Sequence, residues 1–397
     1  MRMIDFALSI LAVPVSLANG YLLGLTLLSG RQRPVGRGAT DPRFAVVVPA
    51  HDEEGGIATT VSNLLGVDYP PDRFSVVVVA DNCSDQTAAR AEQAGARVLV
   101  RRDDEKRGKG YALAYAFERL VPEVDAVVVV DADTVVSPNL LRAFAVRIHG
   151  GALAVQADYA VRNPNASWRT RLMAIAFGAF HVLRSLARER LGLSAGLRGN
   201  GMCFTTRVLE LVPHDAFSIV EDVEYGIRLG EAGYRVHYAA EAHVYGEMVS
   251  SSRASASQRQ RWERGRAALA RTHGLSLLSK GILKRDALLL DLAADVLVPP
   301  LGTLGALVVL GFAAAWGSGR ILGQHVPLQI WIANLLALLL YVLRGWSLSG
   351  TGARGLFDLG CAPVYVIWKL WLRIRQPSRP ADWVRTTREA EHQRIAP

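Results

Sequence analysis

Two aspartates separated by one residue follow directly after a run of apolar residues. Residues 127–130 are all valine, and Asp131, Ala132 and Asp133 come next. On an extended backbone residues i and i+2 point to the same side, so both carboxylates can face one cation where the strand ends. Mg²⁺ and Mn²⁺ suit this pattern, because they take one or two protein carboxylates and fill their other positions with water and phosphate oxygens. The pattern therefore predicts a divalent-metal site, although a solvated turn would have the same sequence.

These aspartates need a scaffold, and the preceding sequence predicts a parallel one. Strands are predicted at 44–48, 75–79, 97–100 and 125–130. Helices are predicted at 57–65, from a Ser84 cap to 95, and after Lys109. Strands that alternate with helices indicate a mostly parallel sheet covered on both faces. Ligands bind beyond the carboxyl ends of such strands, where Glu53, Asp81 and Asp131 follow.

Further polar groups come later in the chain, after a predicted strand at 151–157 and a long helix at 168–191. A loop of small residues covers 194–201, Glu221 and Asp222 open a helix that runs to 230, and a strand follows at 235–239. Gln258, Arg261 and Trp262 stand at i, i+3 and i+4, hence on one helix face. A guanidinium fork beside an aromatic ring fits a diphosphate next to a sugar. Each segment also has a simpler interpretation. The 194–201 segment could be an ordinary loop, and Glu221 and Asp222 could complement the dipole of their helix. The basic helix could lie on lipid headgroups, which is the interpretation preferred for Arg264, Arg266 and Arg271.

The rest of the chain favours a membrane. Residues 7–28 carry no charge and are long enough to cross a bilayer, and they are too long for the apolar part of a signal peptide. Three arginines come after this run and one precedes it, which predicts a cytoplasmic location for the domain after the run. Segments 288–316, 327–343 and 356–372 are further candidates, with Asp291 and Asp295 interpreted as charges at the membrane interface. Because the tail is basic, one of these segments, most plausibly the last, is expected to be interfacial or re-entrant.

Composition divides the chain and restricts its partners. The predicted parts are an N-terminal membrane helix (1–30), a basic linker (31–43), a cytoplasmic α/β domain (44–275), a C-terminal membrane region (276–375) and a basic cytoplasmic tail (376–397). The net charge is +9, but the basic residues gather near apolar segments, which favours membrane lipid over nucleic acid as a partner. The three cysteines have no metal-type spacing and indicate thiols in a reducing compartment.

Residues 42–275 resemble the membrane-bound family 2 glycosyltransferases, which include cellulose, hyaluronan and poly-N-acetylglucosamine synthases and ceramide glucosyltransferases. The resemblance rests on four signals in order, namely Asp81, Asp131-Ala-Asp133, Glu221-Asp222 and Gln258-x-x-Arg261-Trp262. It implies a GT-A type nucleotide-sugar-binding domain with a mostly parallel sheet, flanked by transmembrane helices. It also implies a multi-pass protein of the inner membrane whose catalytic domain is cytoplasmic.

The resemblance also implies a role for each candidate residue. Asp222 would be the general base, and Asp131 and Asp133 would hold Mg²⁺ or Mn²⁺, with Asp133 as the direct ligand. The nucleotide sugar would contact Pro49, Ala50, Glu53, Asp81, Lys109, Asp131 and Arg261. The acceptor would contact Gly199, Asn200, Gly201, Glu221, Gln258 and Trp262.

The chemistry of these groups predicts inversion at the transferred sugar. Displacing a nucleoside diphosphate needs charge neutralisation on the leaving group and a base on the opposite face, and a single carboxylate base implies direct displacement. The leading hypothesis is transfer from a UDP-sugar, with UDP-glucose or UDP-N-acetylglucosamine favoured, to a growing β-linked polysaccharide, with an export or assembly partner possible. The alternatives are transfer of one sugar to a lipid acceptor and, more remotely, a nucleotide-sugar-binding scaffold without turnover.

Overall fold

One sheet organises the part of the chain between residues 44 and 246. The computed structural model describes residues 2–30, 41–248, 252–322 and 326–363. Within these ranges eight strands form one sheet in the order β3-β2-β1-β4-β7-β6-β8-β5. The strands are β1 (Phe44–Ala50), β2 (Phe74–Asp81), β3 (Arg97–Arg101), β4 (Ala126–Val129), β5 (Thr134–Val136), β6 (Ala154–Val161), β7 (Met202–Thr205) and β8 (Val236–Gly246).

Helices cover both faces of this sheet. They are α2 (Ile57–Leu65), α3 (Thr87–Gln93), α4 (Lys109–Leu120), α5 (Leu140–His149), α8 (Thr206–Leu211) and α9 (Glu221–Glu231). The valines of β1 and β4 are buried on both sides, as expected for strands that lie between two helical layers. Helices α2, α3 and α5 pack on one face, and α4 and α9 pack on the other. The predicted alternation of strands and helices is confirmed, and α2 has the predicted bounds.

Two local predictions were wrong. Ser84 does not cap α3, because the helix begins three residues later and the Ser84 hydroxyl instead donates to Asp52. The strand predicted from residue 151 begins at Ala154, because Gly151 turns the chain with a φ of 88°. The partner of Ser84 lies 32 residues away, so the local sequence could not reveal it, whereas the turn at Gly151 is closed by the nearby Ile148 carbonyl.

One antiparallel strand interrupts the otherwise parallel neighbourhood of β4. Strands β3, β2, β1 and β4 are mutually parallel, whereas β7 pairs antiparallel with β4, with Met202 opposite Val129. An antiparallel strand starts where its neighbour ends. The loop that precedes β7 therefore reaches the carboxyl end of β4, which is the end that leads to Asp131.

The predicted helix 168–191 is a continuous helical rod in three parts. They are α6 (Trp168–Phe177), a π-helical segment (Gly178–Leu183) and α7 (Arg184–Leu191). Ser167 caps the beginning, because its hydroxyl accepts the N–H of Thr170 in a reciprocal capping box. π-Helical turns are rare and often accompany functional sites.

Three helices among the described residues are long and apolar enough to cross a membrane. These spans are Phe6–Leu28 in α1 (Arg2–Leu28), Leu301–Arg320 in α12 (Leu301–Leu322) and Pro327–Leu348 in α13 (Val326–Leu348). Their apolar side chains form one cluster, inside which Asn19 donates to Asn334 at 2.9 Å. The N-terminal span therefore agrees with the prediction for 7–28 in place and length, whereas the span predicted at 327–343 begins where expected and continues five residues further, to Leu348.

The remaining C-terminal predictions need correction or lie outside the described residues. The segment predicted at 288–316 is two helices, α11 (Ala287–Leu297) and α12, because Pro299 and Pro300 lack the N–H groups that a continuous helix needs. A long helix α10 (Ser252–Lys284) precedes them. Of the segment 356–372, the described part contains the end of α14 (Gly352–Asp358) and a short 3₁₀ turn. Its remainder and the basic tail 376–397 lie outside the described residues, as does most of the 31–43 linker.

Candidate active site

The turn between β4 and β5 carries the two predicted metal ligands. Asp131 and Asp133 are both partly exposed there, whereas Ala132 between them is buried. The backbone N–H of Asp131 donates to Asn200 Oδ1 at 3.2 Å, and the Asn200 amide donates to Thr134 Oγ1 at 2.7 Å. The buried Asn200 side chain thus fixes both ends of the turn. Two partly exposed carboxylates on a fixed turn are a donor set that fits a hard divalent cation.

The loop around Asn200 reaches the site because Gly199 and Gly201 allow a backbone conformation and close contacts that other residues would not. Gly199 and Gly201 have φ angles of 78° and 68°, a region that favours glycine. A Cβ on Gly201 would lie 2.8 Å from the Val244 methyl groups, and one on Gly199 would lie 3.4 Å from Asp222 Oδ2. The predicted acceptor loop is therefore in contact range of both the metal turn and the predicted base.

Lys109 joins the carboxylates of the site. It is the first residue of α4, and its ammonium group contacts Asp131, donates to the Gly199 carbonyl at 2.5 Å and lies 3.9 Å from Glu221 Oε1. Burial disfavours its charge, but Asp131, Glu221 and Asp222 outweigh this effect and raise the pKa of Lys109. One cation therefore connects the metal turn, the acceptor loop and the start of α9.

Glu221 and Asp222 open α9, and the pKa values of both carboxyl groups are raised by burial. Burial raises the pKa of Glu221 to about 8, with Lys109 opposing, so this carboxyl group holds its proton at neutral pH. Burial also raises the pKa of Asp222, but the Val223 N–H, Lys109, Arg198 and Arg266 all favour its charged form. Asp222 is the better candidate base of the two, because Arg198 and Arg266 favour its charged form in addition to Lys109, which is near both carboxylates.

The predicted nucleotide end lies beyond β1 and β2. Pro49 and Ala50 pair with Val79 and Ala80, and the Glu53 N–H donates to Thr87 Oγ1 at 2.7 Å, so the turn after β1 is held against the start of α3. His51 Nδ1 is 2.7 Å from the Asp81 carbonyl oxygen.

Asp81 has a partner that the sequence did not reveal. Arg101, at the end of β3, donates to its carboxylate at 2.6 Å, and both side chains are buried. Burial raises the pKa of Asp81 and Arg101 opposes this rise. Asp81 and Arg101 are opposite each other in the adjacent parallel strands β2 and β3. A prediction of the register between these strands would therefore have identified the pair. Together they present a hydrogen-bond acceptor and a donor, as recognition of a nucleobase edge requires.

A second group of possible metal ligands lies close to this end. Oxygen and sulfur atoms of Asp52, Cys83 and Asp85 are within 4.8 Å of one another. Their hydrogen bonds give them a structural role instead, because Asp52 accepts the Ser84 N–H at 2.7 Å and Asp85 accepts the Thr87 N–H at 2.9 Å. We therefore favour Asp131 and Asp133 for a metal.

Comparison with known proteins identifies the family. Residues 42–265, more than half of the chain, match the family described as Glycosyltransferase like family 2. The chain belongs to this family of glycosyltransferases.

Relatives and a solved structure agree with this assignment. The chain is 26% identical over 235 residues to a probable glycosyltransferase, YdaM, of Bacillus subtilis, covering 56% of this chain and 55% of that one. It is 30% identical over 237 residues to β-monoglucosyldiacylglycerol synthase of Synechocystis, covering 56% and 48%. A mannosyltransferase of Pyrobaculum calidifontis, solved with GDP-Man and Mn²⁺, has a TM-score of 0.56 at 19% identity and covers 86% of this chain and 98% of its own, which shows a shared GT-A-like fold. The chain spans about half the length of the curated relatives it matches.

The family 2 domain also contains site residues that sequence reasoning missed. Tyr159, at the end of β6, is surrounded by the site's acids. Burial raises its pKa, and Asp131 and Asp133 raise it further. Its ring stacks on His181 at 5.4 Å, and the His181 Nδ1 atom is 3.2 Å from the Tyr159 carbonyl oxygen. Burial and Arg198 lower the pKa of His181 to about 3, so the imidazole is neutral. No sequence pattern marked these residues, because the π-helical segment that places His181 has no periodicity of its own.

The final predicted motif of this glycosyltransferase is only partly described. Gln258, Arg261 and Trp262 lie in α10, but their side chains are outside the described residues. Arg266, predicted to lie on lipid headgroups, instead donates to the Asp295 carbonyl at 2.7 Å, and its pKa is lowered by burial. That prediction was wrong for Arg266, because the part of α10 from Arg266 to Leu278 packs against α11.

Proposed function

We propose that this family 2 glycosyltransferase transfers a hexose, with inversion, from a UDP-sugar to a hydroxyl group of a lipid acceptor at the inner membrane. The observation that carries the proposal is the position of Lys109, which contacts Asp131 and the Gly199 carbonyl and lies close to Glu221. This contact supports one reaction centre built from the donor turn, the acceptor loop and the base.

Each side chain has a role in that reaction. Asp131 and Asp133 would hold Mg²⁺ or Mn²⁺, with Asp133 as the direct ligand, and the bound ion would neutralise the diphosphate leaving group. Asp222 would take the proton of the acceptor hydroxyl. The acceptor oxygen then forms its bond to the anomeric carbon as the bond from that carbon to the diphosphate breaks, which converts an α-linked donor to a β-linked product.

The remaining predicted contacts orient the two substrates. Asp81, with Arg101 beside it, would bind the uracil edge, and Pro49, Ala50 and Glu53 would line the uridine pocket. Arg261 would contact the diphosphate, and Lys109 would move its positive charge from Asp131 towards the phosphates. Protonated Glu221, the loop 199–201, Gln258 and Trp262 would face the acceptor.

A lipid acceptor is favoured by how the loop 194–201 joins the membrane helices. Its preceding helix α7 places Arg184 against Asp295 at 2.8 Å and against the Tyr341 hydroxyl of α13 at 2.9 Å. An acceptor that extends from the bilayer would thus meet Asp222 without leaving the membrane surface. The relative named β-monoglucosyldiacylglycerol synthase makes, by its name, a glycolipid.

Elongation of a β-linked polysaccharide, with an export or assembly partner, is the second candidate. A relative that is 24% identical over 249 residues is named a probable glucomannan 4-beta-mannosyltransferase, of Arabidopsis thaliana. The inner-membrane location and the cytoplasmic side of the catalytic domain are common to both candidates. Arg31, Arg33 and Arg37, which come after the first span, support that orientation.

Release of nucleoside diphosphate by the full-length protein tests the proposal. The purified protein is incubated in detergent with lipid extract and Mn²⁺ or Mg²⁺, and UDP-glucose, UDP-N-acetylglucosamine, UDP-galactose and GDP-mannose are compared. We expect release with one UDP-sugar and one discrete glycolipid by mass analysis. A ladder of saccharides would favour the polysaccharide candidate, and release only with GDP-mannose would overturn the uridine assignment. No release with any donor, despite metal-dependent nucleotide binding, would favour a binding scaffold.

A further inference from the structure

A buried cluster of charges joins the catalytic domain to the membrane helices. Arg184 and Arg188 of α7 pair with the two aspartates of α11, at 2.8 Å between Arg184 Nη1 and Asp295 Oδ1 and 3.0 Å between Arg188 Nε and Asp291 Oδ2. Arg188 also donates to the Tyr21 hydroxyl of α1 at 2.5 Å. We call these residues, together with Arg198 and Arg266, the junction cluster.

The junction cluster has more positive than negative charge. Within the described part of the chain, the carboxylates of Asp291 and Asp295 pair with three guanidinium groups, those of Arg184, Arg188 and Arg266, and the fourth, Arg198, has no carboxylate within ion-pair distance. Arg198 and Arg266 also stabilise the charge of Asp222. When this carboxylate is added to Asp291 and Asp295, three negative charges face four arginines, and one positive charge remains in excess. Residues 249–262, the undescribed side chains that are nearest to Arg266 in the chain, contain no acidic residue. Buried charges are normally paired, so this surplus needs a reason.

The surplus is located on Arg198 and Arg266. Arg198 is 7% exposed, and its guanidinium has the Ala195 carbonyl as a partner at 3.0 Å. Burial lowers its pKa to about 10 although Asp295 opposes the shift. Arg198 Nε and Arg266 Nη1 are buried, and among the described residues neither has a hydrogen-bond partner. An unpaired buried N–H costs free energy, which a ligand oxygen would recover.

Both guanidinium groups lie on one ring that is partly open to solvent. The Cζ atoms of Arg198 and Arg266 are 4.6 and 4.8 Å from the centroid of Phe180, in the π-helical segment. Phe180 and the neighbouring His181 are partly exposed, and the Arg266 side chain is 20% exposed. A ligand can therefore approach the two arginines from the side of Phe180, next to Asp222.

The chemistry of the cluster selects an anion with several oxygens. Guanidinium groups bind phosphate through parallel hydrogen bonds, and two of them around one apolar ring suit a tetrahedral group. We propose that Arg198 and Arg266 bind a phosphate group carried by the lipid acceptor, beside the hydroxyl that Asp222 deprotonates. This proposal rests on the proposed function and restricts its acceptor to phosphate-bearing lipids.

Binding of two matched lipids tests the phosphate subsite. The full-length protein in a neutral detergent is titrated with dihexanoyl phosphatidylglycerol and with dihexanoylglycerol, which has the same acyl chains and no phosphate. We expect the phospholipid to bind at least about tenfold more tightly, as charge-assisted hydrogen bonds predict. Equal affinity for the two probes would overturn the proposal. Full displacement of the phospholipid by inorganic phosphate at equal concentration would also overturn it, because the site would then be one for free phosphate.

Substitutions test whether Arg198 and Arg266 cause the preference for the phospholipid over dihexanoylglycerol. Arg198→Gln and Arg266→Gln should each remove most of the preference, whereas Arg228→Gln, an exposed arginine paired with Asp215, should keep it. Arg266→Gln decides the outcome where Arg198→Gln fails to fold, since Arg266 is the more exposed of the two. A preference that survives in a folded Arg266→Gln protein would overturn the assignment. Stabilisation by UDP with Mn²⁺ is measured on the same samples, so that loss of the donor site and loss of the phosphate subsite are read separately.

Discussion

Asp222 and Asp295 are two enclosed aspartates whose surroundings shift their pKa values in opposite directions. Burial raises the pKa of Asp222 despite Lys109, Arg198 and Arg266. The pKa of Asp295 lies well below its ordinary value, because Arg188, Arg266 and Arg184 overcome the effect of burial. In the candidate active site several acids thus surround one lysine, and in the junction cluster several arginines surround two acids.

The opposite pKa shifts of Asp222 and Asp295 indicate different roles, one in the reaction and one in holding the domain and the helices together. A carboxylate whose charged form is disfavoured by the fold gives the native state no stability, so its presence at Asp222 has to be explained by function. A carboxylate that pairs with buried arginines holds two parts of the molecule together, and its removal leaves charges unpaired. Substitutions of the two kinds of carboxylate should therefore have opposite effects on turnover and on stability.

The largest expected effect is the loss of turnover in Asp222→Asn. Removing a general base costs about 10²–10⁴-fold in rate, and we expect about a thousandfold here. UDP binding and the melting temperature should stay the same or increase, because the variant removes a disfavoured buried charge. Product formation, UDP binding and thermal unfolding are measured on one preparation. Asp215→Asn, at an exposed acid, is the control, and unchanged turnover in Asp222→Asn would rule out the role of base.

The opposite pattern is expected for Asp295→Asn. The substitution leaves Arg184 and Arg188 without their shared carboxylate, and breaking a buried pair in this way costs about 3–5 kcal/mol of unfolding free energy. Denaturant unfolding in detergent measures this loss. Asp215→Asn again serves for comparison, because an exposed pair contributes less than about 1 kcal/mol. A stable Asp295→Asn protein would mean that the junction cluster does not hold the domains together.

Asp133→Asn should remove the stabilisation that metal and nucleotide provide together. A ligand at a hundred times its Kd stabilises a protein by about 2.7 kcal/mol, and this increment should vanish in the variant as it does when EDTA is added to the wild type. Thermal unfolding with UDP and Mn²⁺ measures the increment. Asp85→Asn, in the other group of possible ligands, should retain it; the reverse result would move the metal to Asp52, Cys83 and Asp85.

Glu221 should also give the free energy of unfolding a pH dependence, which is spread over several pH units. Its folded pKa of about 8 is above the ordinary 4.5, so the native state binds more protons than the unfolded state between these values. Stability should fall as pH rises from about 4.5 to 8, by at most about 1.4 kcal/mol per pH unit. Glu221→Gln should flatten this slope, which denaturant unfolding at several pH values would reveal. An identical slope in the variant would assign the proton to another group.

The sequence predicted the elements of the catalytic sheet better than the contacts between them. Valine runs and glycine turns are local signals, so β1, β4 and the bounds of α2 could be predicted directly from them. The loop at 199–201 and the acids of α9 were recognised by residue type, although only the antiparallel β7 explains how the loop reaches Asp131.

Contacts that join distant parts of the chain could not be predicted in this way. Arg101 meets Asp81 across two strands, and Asp291 and Asp295, interpreted as interfacial charges, instead pair with arginines more than a hundred residues away. A charged residue in an apolar sequence is compatible with headgroups or with a buried partner, and only the fold decides between them.

The π-helical segment lets one helical rod contact both the candidate active site and the junction cluster. The contacts of the rod therefore depend on its exact number of residues. The wider turn at Gly178–Leu183 shifts the phase between α6, whose end adjoins Tyr159, and α7, which carries Arg184 and Arg188. Deleting one residue there would restore an unbroken α-helix and rotate every later side chain by about 100°. A rod without the extra residue would turn Arg184 and Arg188 away from Asp291 and Asp295, so a change of one residue in length there would separate the catalytic domain from the helices that it packs on.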